Sequence, residues 1–384
     1  MHSDAEMVGR RLLERAGIEP GGGRPWDPVI HDPRFWARVL RHRELGLGES
    51  YQDGWWDVPA LDELMVRLLR ADLQGQIRTS PKLGLLLARS LLWNRQSVRG
   101  ASRNARSHYN TGNDLFARML DARMVYSCAY WDGQTDLEAA QEAKLELICR
   151  KLHLQPGMTL LDIGCGWGGL AVHAARHHGV HVTGISPAAE QLKVATERGA
   201  GLPVRFLQQD YRRHTGRYDR VVSVGMFEHV GPRNHRDFFR TCDRLLTPDG
   251  LMLHHTIHGL RPRRHADPWI DRYIFPGGVL PSPSQITRAV EPDWMVEDVH
   301  EFGPEYDRTL MAWHDNVEAA WDDLPAYDER FRRTWRYYLL SCAAAFRVRH
   351  IGLLQAVFRR ALRPLPTYAG VRDATPVHHL ASGN

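Results

Sequence analysis

From about residue 108 onward, short apolar runs of strand character alternate with longer runs of helical periodicity. The strand-like runs are residues 158–163, 180–185, 204–208, 220–224 and 251–255. Just before the first of them, Thr135 and Glu138 have the spacing of a capping box. Leu137, Ala140, Leu145, Ile148 and Leu152 follow at near-helical intervals. Repeated strand–helix alternation predicts an α/β fold, a mostly parallel, doubly wound sheet with helices on both faces. Ligands in such sheets sit at the carboxyl ends of the strands.

The flanks read differently. Residues 1–95 carry amphipathic segments at 8–16, 34–44 and 61–73, which predict a small, mainly helical N-terminal domain. A basic linker at 96–107 leads into a catalytic domain at 108–363. Within it, residues 315–361 read as helical, with aromatics and arginines interleaved in the last thirty. The Pro-, His- and Gly-containing tail at 364–384 is expected to be disordered.

Charge sharpens the picture in one place. The net charge is only +5, but no acidic residue lies between Asp72 and Asp114, where Arg78, Lys82, Arg89, Arg95, Arg99, Arg103 and Arg106 stand. Such a stretch is either a solvated linker or a surface for anionic lipid headgroups, where each basic residue contributes roughly 1 kcal/mol. No nucleic-acid-reading motif adjoins it, so nucleic acid is not an expected partner. The longest apolar run, 83–93, contains Arg89 and falls short of the roughly 20 residues of a spanning helix, so membrane contact is expected to be peripheral. The five cysteines (Cys128, Cys149, Cys165, Cys242 and Cys342) form no CxxC pair, which argues for free thiols in a reducing compartment and against a metal site. No basic-then-apolar leader is visible, so a cytoplasmic location at the inner membrane is expected.

The chemistry begins at Leu160-Leu161-Asp162-Ile163-Gly164-Cys165-Gly166-Trp167-Gly168-Gly169. Four glycines in six positions let the backbone approach a nucleotide-like ligand closely. Gly164, Gly166 and Gly169 also satisfy the dinucleotide fingerprint. Two features speak against a nicotinamide cofactor. Asp162 stands where that motif is usually apolar, and the ribose-binding acid roughly 20 residues on is replaced by Gly184-Ile185-Ser186-Pro187. The pattern apolar-apolar-Asp-x-Gly-x-Gly-x-Gly instead resembles the first motif of Rossmann-like class I S-adenosylmethionine (AdoMet) methyltransferases, whose loop wraps the amino-acid end of AdoMet.

More distant segments narrow the resemblance. They are His108-Tyr109-Asn110-Thr111-Gly112-Asn113-Asp114, Tyr126-Ser127-Cys128-Ala129-Tyr130-Trp131, Val224-Gly225-Met226-Phe227-Glu228-His229-Val230-Gly231 and His254-His255-Thr256-Ile257. The stretches 46–56 and 267–278 add to them. Together they resemble the cyclopropane-fatty-acyl-phospholipid synthases and the related mycolic acid cyclopropane synthases over nearly the whole chain. The resemblance implies methylene transfer from AdoMet to the cis double bond of unsaturated acyl chains in membrane phospholipids. It implies a carbocation deprotonated by bound bicarbonate, and a homodimer.

Carried over residue by residue, the bicarbonate ligands implied are Cys128, Glu228, His255, Ile257 through its backbone, and Tyr306. The AdoMet contacts implied are Tyr126, Ser127, Asp162, Gly164, Cys165, Gly166, Trp167, Gly168, Ser186, Gln191, Asp210, Tyr211 and Arg212. Ser186-Pro187-Ala188 departs from the family's Thr-aliphatic-Ser, which weakens the ribose contacts. Tyr126, Tyr130, Trp131 and Phe227 are expected to turn π-faces toward the sulfonium or the cation, worth roughly 0.5–2 kcal/mol. Three alternatives stay open on the residues alone. Taken singly, Cys128 is equally an ordinary buried small hydrophobe, His255 a satisfied core histidine and Tyr306 a packing aromatic. A related methyltransferase of the same fold, which methylates an acyl chain without closing the ring or methylates a small amine, fits the same motifs. A non-catalytic lipid-binding protein is disfavoured by the retained Glu228, His255 and Tyr306.

Overall fold

The computed structural model describes residues 4–71, 112–362 and 366–372. The basic stretch, the 83–93 run and His108 to Thr111 lie outside the described residues.

Two short strands, β1 (Val29–Ile30) and β2 (Trp56–Asp57), pair antiparallel in the N-terminal part. Seven more form the central sheet: β3 (Thr159–Ile163), β4 (His181–Ser186), β5 (Val204–Gln208), β6 (Tyr218–Val224), β7 (Leu246–Gly259), β8 (Trp294–Glu301) and β9 (Ile351–Arg360). Their spatial order is β5-β4-β3-β6-β7-β9-β8. The first five run parallel, and β9 pairs antiparallel with both β7 and β8. All five expected strands are present. The chain order reverses between β3 and β6, so the crevice beyond their carboxyl ends is the natural ligand site.

Three expectations are corrected. Residues 351–360, expected to be helical, form β9; the helix before it, Glu329–Arg347, ends at Val348. β9 is mostly buried on both faces, which erases the alternation that marks a half-buried strand. The helix Leu137–Lys151 is capped by Asp136, whose carboxylate accepts from the Ala139 N–H, and not by Thr135. Glu138 instead accepts from the backbone N–H of Ala122 and pairs with Arg123. Finally, residues 366–372 of the tail are packed: the Tyr368 hydroxyl donates to the Lys151 carbonyl at 2.8 Å, and Arg372 pairs with Asp298.

The N-terminal helices α1 (Asp4–Arg15), α2 (Arg34–Gln52) and α3 (Leu61–Arg70) share one core with the later helices Pro304–Ala319 and Glu329–Arg347. The expected N-terminal helices are present, but α2 runs past residue 44, kinked at Arg43 (φ 52°). Its second half passes so close to Trp269 that a Cβ on Gly48 would lie 2.4 Å from the indole. That contact is fixed by the Trp269 Nε1–H donating to Gln52 Oε1 (3.1 Å) and Gln52 Nε2–H donating to Thr334 (2.7 Å). α3 is tied down by Arg347, which reaches Asp62, Glu63 and Asp307.

Candidate active site

The glycine loop leaves β3 and enters the helix Gly169–His178. Gly164, Gly166 and Gly168 all have positive φ (87°, 54° and 81°). A Cβ on Gly164 would sit 2.9 Å from Met226. The Gly164 N–H donates to the Ile185 carbonyl at 2.9 Å, which pins the loop to β4. Trp167 is buried and donates through Nε1 to Asn113 (3.0 Å).

A first cavity opens over this loop. Tyr126, Ser127, Asp162, Gly164, Cys165, Gly166, Trp167, Ser186, Gln191, Asp210, Tyr211 and Arg212 line it. Of the residues expected to contact the cofactor, only Gly168 lies behind the wall, as the left-handed cap of the helix. Asp210 is held by Arg212 in a two-pronged ion pair. Ser186 accepts from the Ala188 N–H at 3.2 Å, so its hydroxyl is engaged with its own turn.

Lys144, which the sequence reading missed, also lines this cavity. It is fully buried and donates to Ser127 Oγ at 2.9 Å. Burial pulls its ammonium down to about 8 and pushes Asp162 up to about 7, each attenuated by attraction to the other. A lysine on the apolar face Ala140, Ala143, Leu147 was the available signal.

A second cavity, of about 580 Å³, lies beside the first. Glu228, His255, Ile257 and Tyr306 line it, together with Trp269, Phe275, Leu310 and Phe346. Met65 and Leu69 of α3 contribute from the N-terminal part. The two cavities meet at Tyr126, Ser127, Gly225 and His229, which border both.

Two buried polar atoms on the wall of the second cavity have no hydrogen-bond partner among the described residues: Glu228 Oε2 and His255 Nε2. Glu228 Oε1 accepts from the Ile257 N–H at 2.7 Å. Burial pushes the Glu228 carboxyl up to about 7. His255 Nδ1 accepts from the Gln355 amide at 3.2 Å, so the proton of the neutral ring sits on Nε2. Burial holds that ring neutral, well below its ordinary range, and keeps the Tyr306 hydroxyl protonated. Buried polar atoms cost free energy unless paired, so an acceptor and a donor left open together mark a place for a small polar ligand.

Glu228, His255 and Tyr306 are thus brought together. Ile257 borders the same cavity, with its N–H taken by Glu228. Cys128 differs from expectation: it is fully buried, its thiol turns to the Ala129 carbonyl (3.2 Å), and among the described residues it lines neither cavity. Of the four expected aromatics, Tyr126 alone lines the cavities. Phe227 packs under the sheet against Phe238 and Phe239, Trp131 bonds Thr309, and Tyr130 bonds the Arg372 carbonyl.

Gln355, on the strand misread as helix, is the other residue the sequence reading missed. Gln355→Leu should lower turnover by roughly tenfold or more by freeing the His255 tautomer. Steady-state kinetics beside AdoMet calorimetry check this: kcat falls while cofactor affinity and melting temperature hold.

The raised Glu228 pKa has a sign. A carboxyl ordinarily near 4.5 that stands near 7 when folded stabilises the protein fully below about pH 4.5, and this stability is lost as pH rises through 7. Glu228→Gln removes that loss. The variant should gain about 3 kcal/mol relative to wild type between pH 4.5 and 8, seen in paired unfolding curves across that range.

The chain is similar to several known proteins. Residues 96–356 match the family model for mycolic acid cyclopropane synthetase. The cyclopropane-fatty-acyl-phospholipid synthase of Escherichia coli is 50% identical over 356 residues, covering 92% of this chain and 93% of that protein. The tuberculostearic acid methyltransferase of Mycobacterium tuberculosis is 33% identical over 380 residues, covering 90% and 86%. Among solved structures, mycolic acid cyclopropane synthase CmaA1, complexed with SAH and CTAB, superposes with a TM-score of 0.64 at 34% identity. That match covers 67% of this chain and 97% of that one.

Proposed function

Because the chain belongs to the mycolic acid cyclopropane synthetase family of AdoMet-dependent methyltransferases, we propose that it transfers a methylene group from AdoMet to the cis double bond of unsaturated acyl chains in membrane phospholipids. The observation that carries this reading is the junction of the two cavities. A cradle suited to AdoMet and a long, largely apolar cavity meet at Tyr126, Ser127, Gly225 and His229.

The overall change balances as alkene plus AdoMet giving cyclopropane, S-adenosylhomocysteine and one proton. An isolated alkene is a weak nucleophile, so alignment supplies much of the rate. Tyr126 is held for this by its hydroxyl against that of Tyr338 (2.9 Å) and by packing on Trp313 and Phe275. Its π-face suits a sulfonium or a carbocation. The apolar walls keep out water that would trap the cation.

Bicarbonate, when bound, supplies a weak base for the departing proton. Glu228 Oε2, the His255 Nε2–H and the Tyr306 hydroxyl fit such an ion, as one acceptor and two donors. Cys128 does not face it.

No described helix is long and apolar enough to cross a membrane. The reading also includes peripheral attachment at the inner membrane from the cytoplasmic side, through the basic stretch between Asp72 and Asp114, and a homodimer measurable by light scattering. The likeness to the tuberculostearic acid methyltransferase favours a second reading, methylation of the acyl chain without ring closure. Lipids from cells expressing the chain test both. Unsaturated chains heavier by one CH2 with ring protons by NMR support the first; branched methyl signals support the second; unchanged lipids refute both.

A further inference from the structure

The larger cavity opens beneath a loop to which the reaction assigns no role. β7 ends at Gly259, and the chain continues Leu260-Arg261-Pro262-Arg263-Arg264-His265 before Asp267 caps the helix Pro268–Tyr273. Leu260, Arg261, Arg263 and His265 line the cavity, as does His350 from another element. Leu260 is 68% exposed, and the three arginines are exposed. The Arg263 guanidinium stands 3.5 Å from His350 Nε2.

Two carboxylates share this rim. Asp267 is committed as a helix cap, accepting from the Trp269 and Ile270 N–H groups, and burial pushes it up to about 6. Glu44 is the other. Arginine therefore outnumbers free carboxylate at the mouth. The opposite, buried end holds Glu228, His255 and Tyr306.

An apolar cavity with a reactive end and a basic, solvent-facing end has the polarity of an acyl chain esterified to a phosphorylated headgroup. We propose that Arg261 and Arg263 bind the phosphodiester of the phospholipid whose acyl chain enters the cavity, while Leu260 seats in the adjoining layer of lipid chains. The assignment rests on the phospholipid reading above. Arginine's planar fork matches phosphate oxygens in a two-pronged manner, which a point charge does not. An exposed leucine flanked by arginines is the composition of an interfacial contact. The site is distinct from the basic stretch between Asp72 and Asp114. It selects the lipid at the mouth, where that stretch would attract any anionic surface.

The test is the double variant Arg261→Ala/Arg263→Ala, assayed for methyl transfer from labelled AdoMet. Dioleoyl phosphatidylcholine and dioleoylglycerol are the two substrates, each in neutral detergent micelles. Both lipids are neutral overall and carry the same chains, so they differ in the phosphocholine headgroup, whose phosphodiester is its only anionic part. The expected result is a KM for the phosphatidylcholine raised about tenfold or more, an unchanged KM for the dioleoylglycerol, and unchanged AdoMet affinity by calorimetry. Arg261→Lys/Arg263→Lys should recover part of the loss. Equal losses on both lipids, or no loss on either, would overturn the assignment. Competition by inorganic phosphate at concentrations equal to the lipid's would assign a free-phosphate site instead and overturn it too. Wild-type protein that transfers to neither lipid would refute the acyl-chain reading itself. Normal wild-type rates with an unaffected double variant would refute the rim alone.

Discussion

Glu228→Gln should reduce turnover by about 10²- to 10⁴-fold while AdoMet binds as in wild type. Glu228 has two oxygens with different duties. Oε1 accepts from the Ile257 N–H and holds the turn at the end of β6, an acceptor role that the glutamine carbonyl keeps. Oε2 is buried with no partner among the described residues, and in the proposed mechanism it is the atom that faces the base or its proton. Glutamine puts an NH2 there, which neither accepts a hydrogen bond nor carries charge. The AdoMet cavity is lined by a separate set of residues and shares with the second one only its border. Initial rates with labelled AdoMet, set beside the calorimetric dissociation constant, separate the two effects. A variant retaining a tenth of the wild-type rate would show that Glu228 is structural.

Gly164→Ala should weaken AdoMet binding roughly 10- to 100-fold. The position holds φ 87°, which costs a residue with a Cβ about 1–2 kcal/mol. The added methyl would also lie 2.9 Å from Met226 Cβ and Cγ, on the segment that carries Glu228. Relief requires either the loop or that segment to move, and the loop is pinned through the Gly164 N–H to Ile185. Calorimetric titration of AdoMet measures the loss, and a near-wild-type melting temperature locates it in the site. Unchanged affinity would mean that the loop does not hold the cofactor.

The parts of the site that the sequence displayed were those in which backbone conformation demands a residue type. Positive φ at Gly164, Gly166 and Gly168 requires glycine, so the loop announces itself. The five parallel strands were legible because each is a short apolar run between helical stretches. β9 was not, since a strand buried on both faces after an arginine-rich helix has no period to betray it. Gln355 was lost with it. β8 was missed for the opposite reason: it is an edge strand with Met295, Val296 and Val299 exposed, and its pattern is weak. Lys144 was hidden inside a helix whose other inward residues are apolar.

Cys128 teaches a different lesson. The motif around it fixes a path for the backbone through Gln141, Thr309 and Glu305, which hold the flanking amides and carbonyls. It does not fix the direction of the thiol, which faces the Ala129 carbonyl. The N-terminal segments were legible as helices. Their part in the second cavity was not, because it depends on how Gly48, Gln52 and Trp269 fit together across distant parts of the chain.

In the proposed reaction the two adjoining cavities pass one carbon from AdoMet to an acyl double bond and close a ring. Purified protein incubated with AdoMet carrying a ¹³C-methyl group and with vesicles of a cis-unsaturated phospholipid tests it most directly, read by NMR of the recovered lipid. The expected result is ¹³C in a ring methylene with upfield cyclopropane protons, and label lower by about a hundredfold or more in the Glu228→Gln reaction at equal time. Label found only in a branched methyl or exomethylene carbon, or no label in the lipid at all, would contradict it.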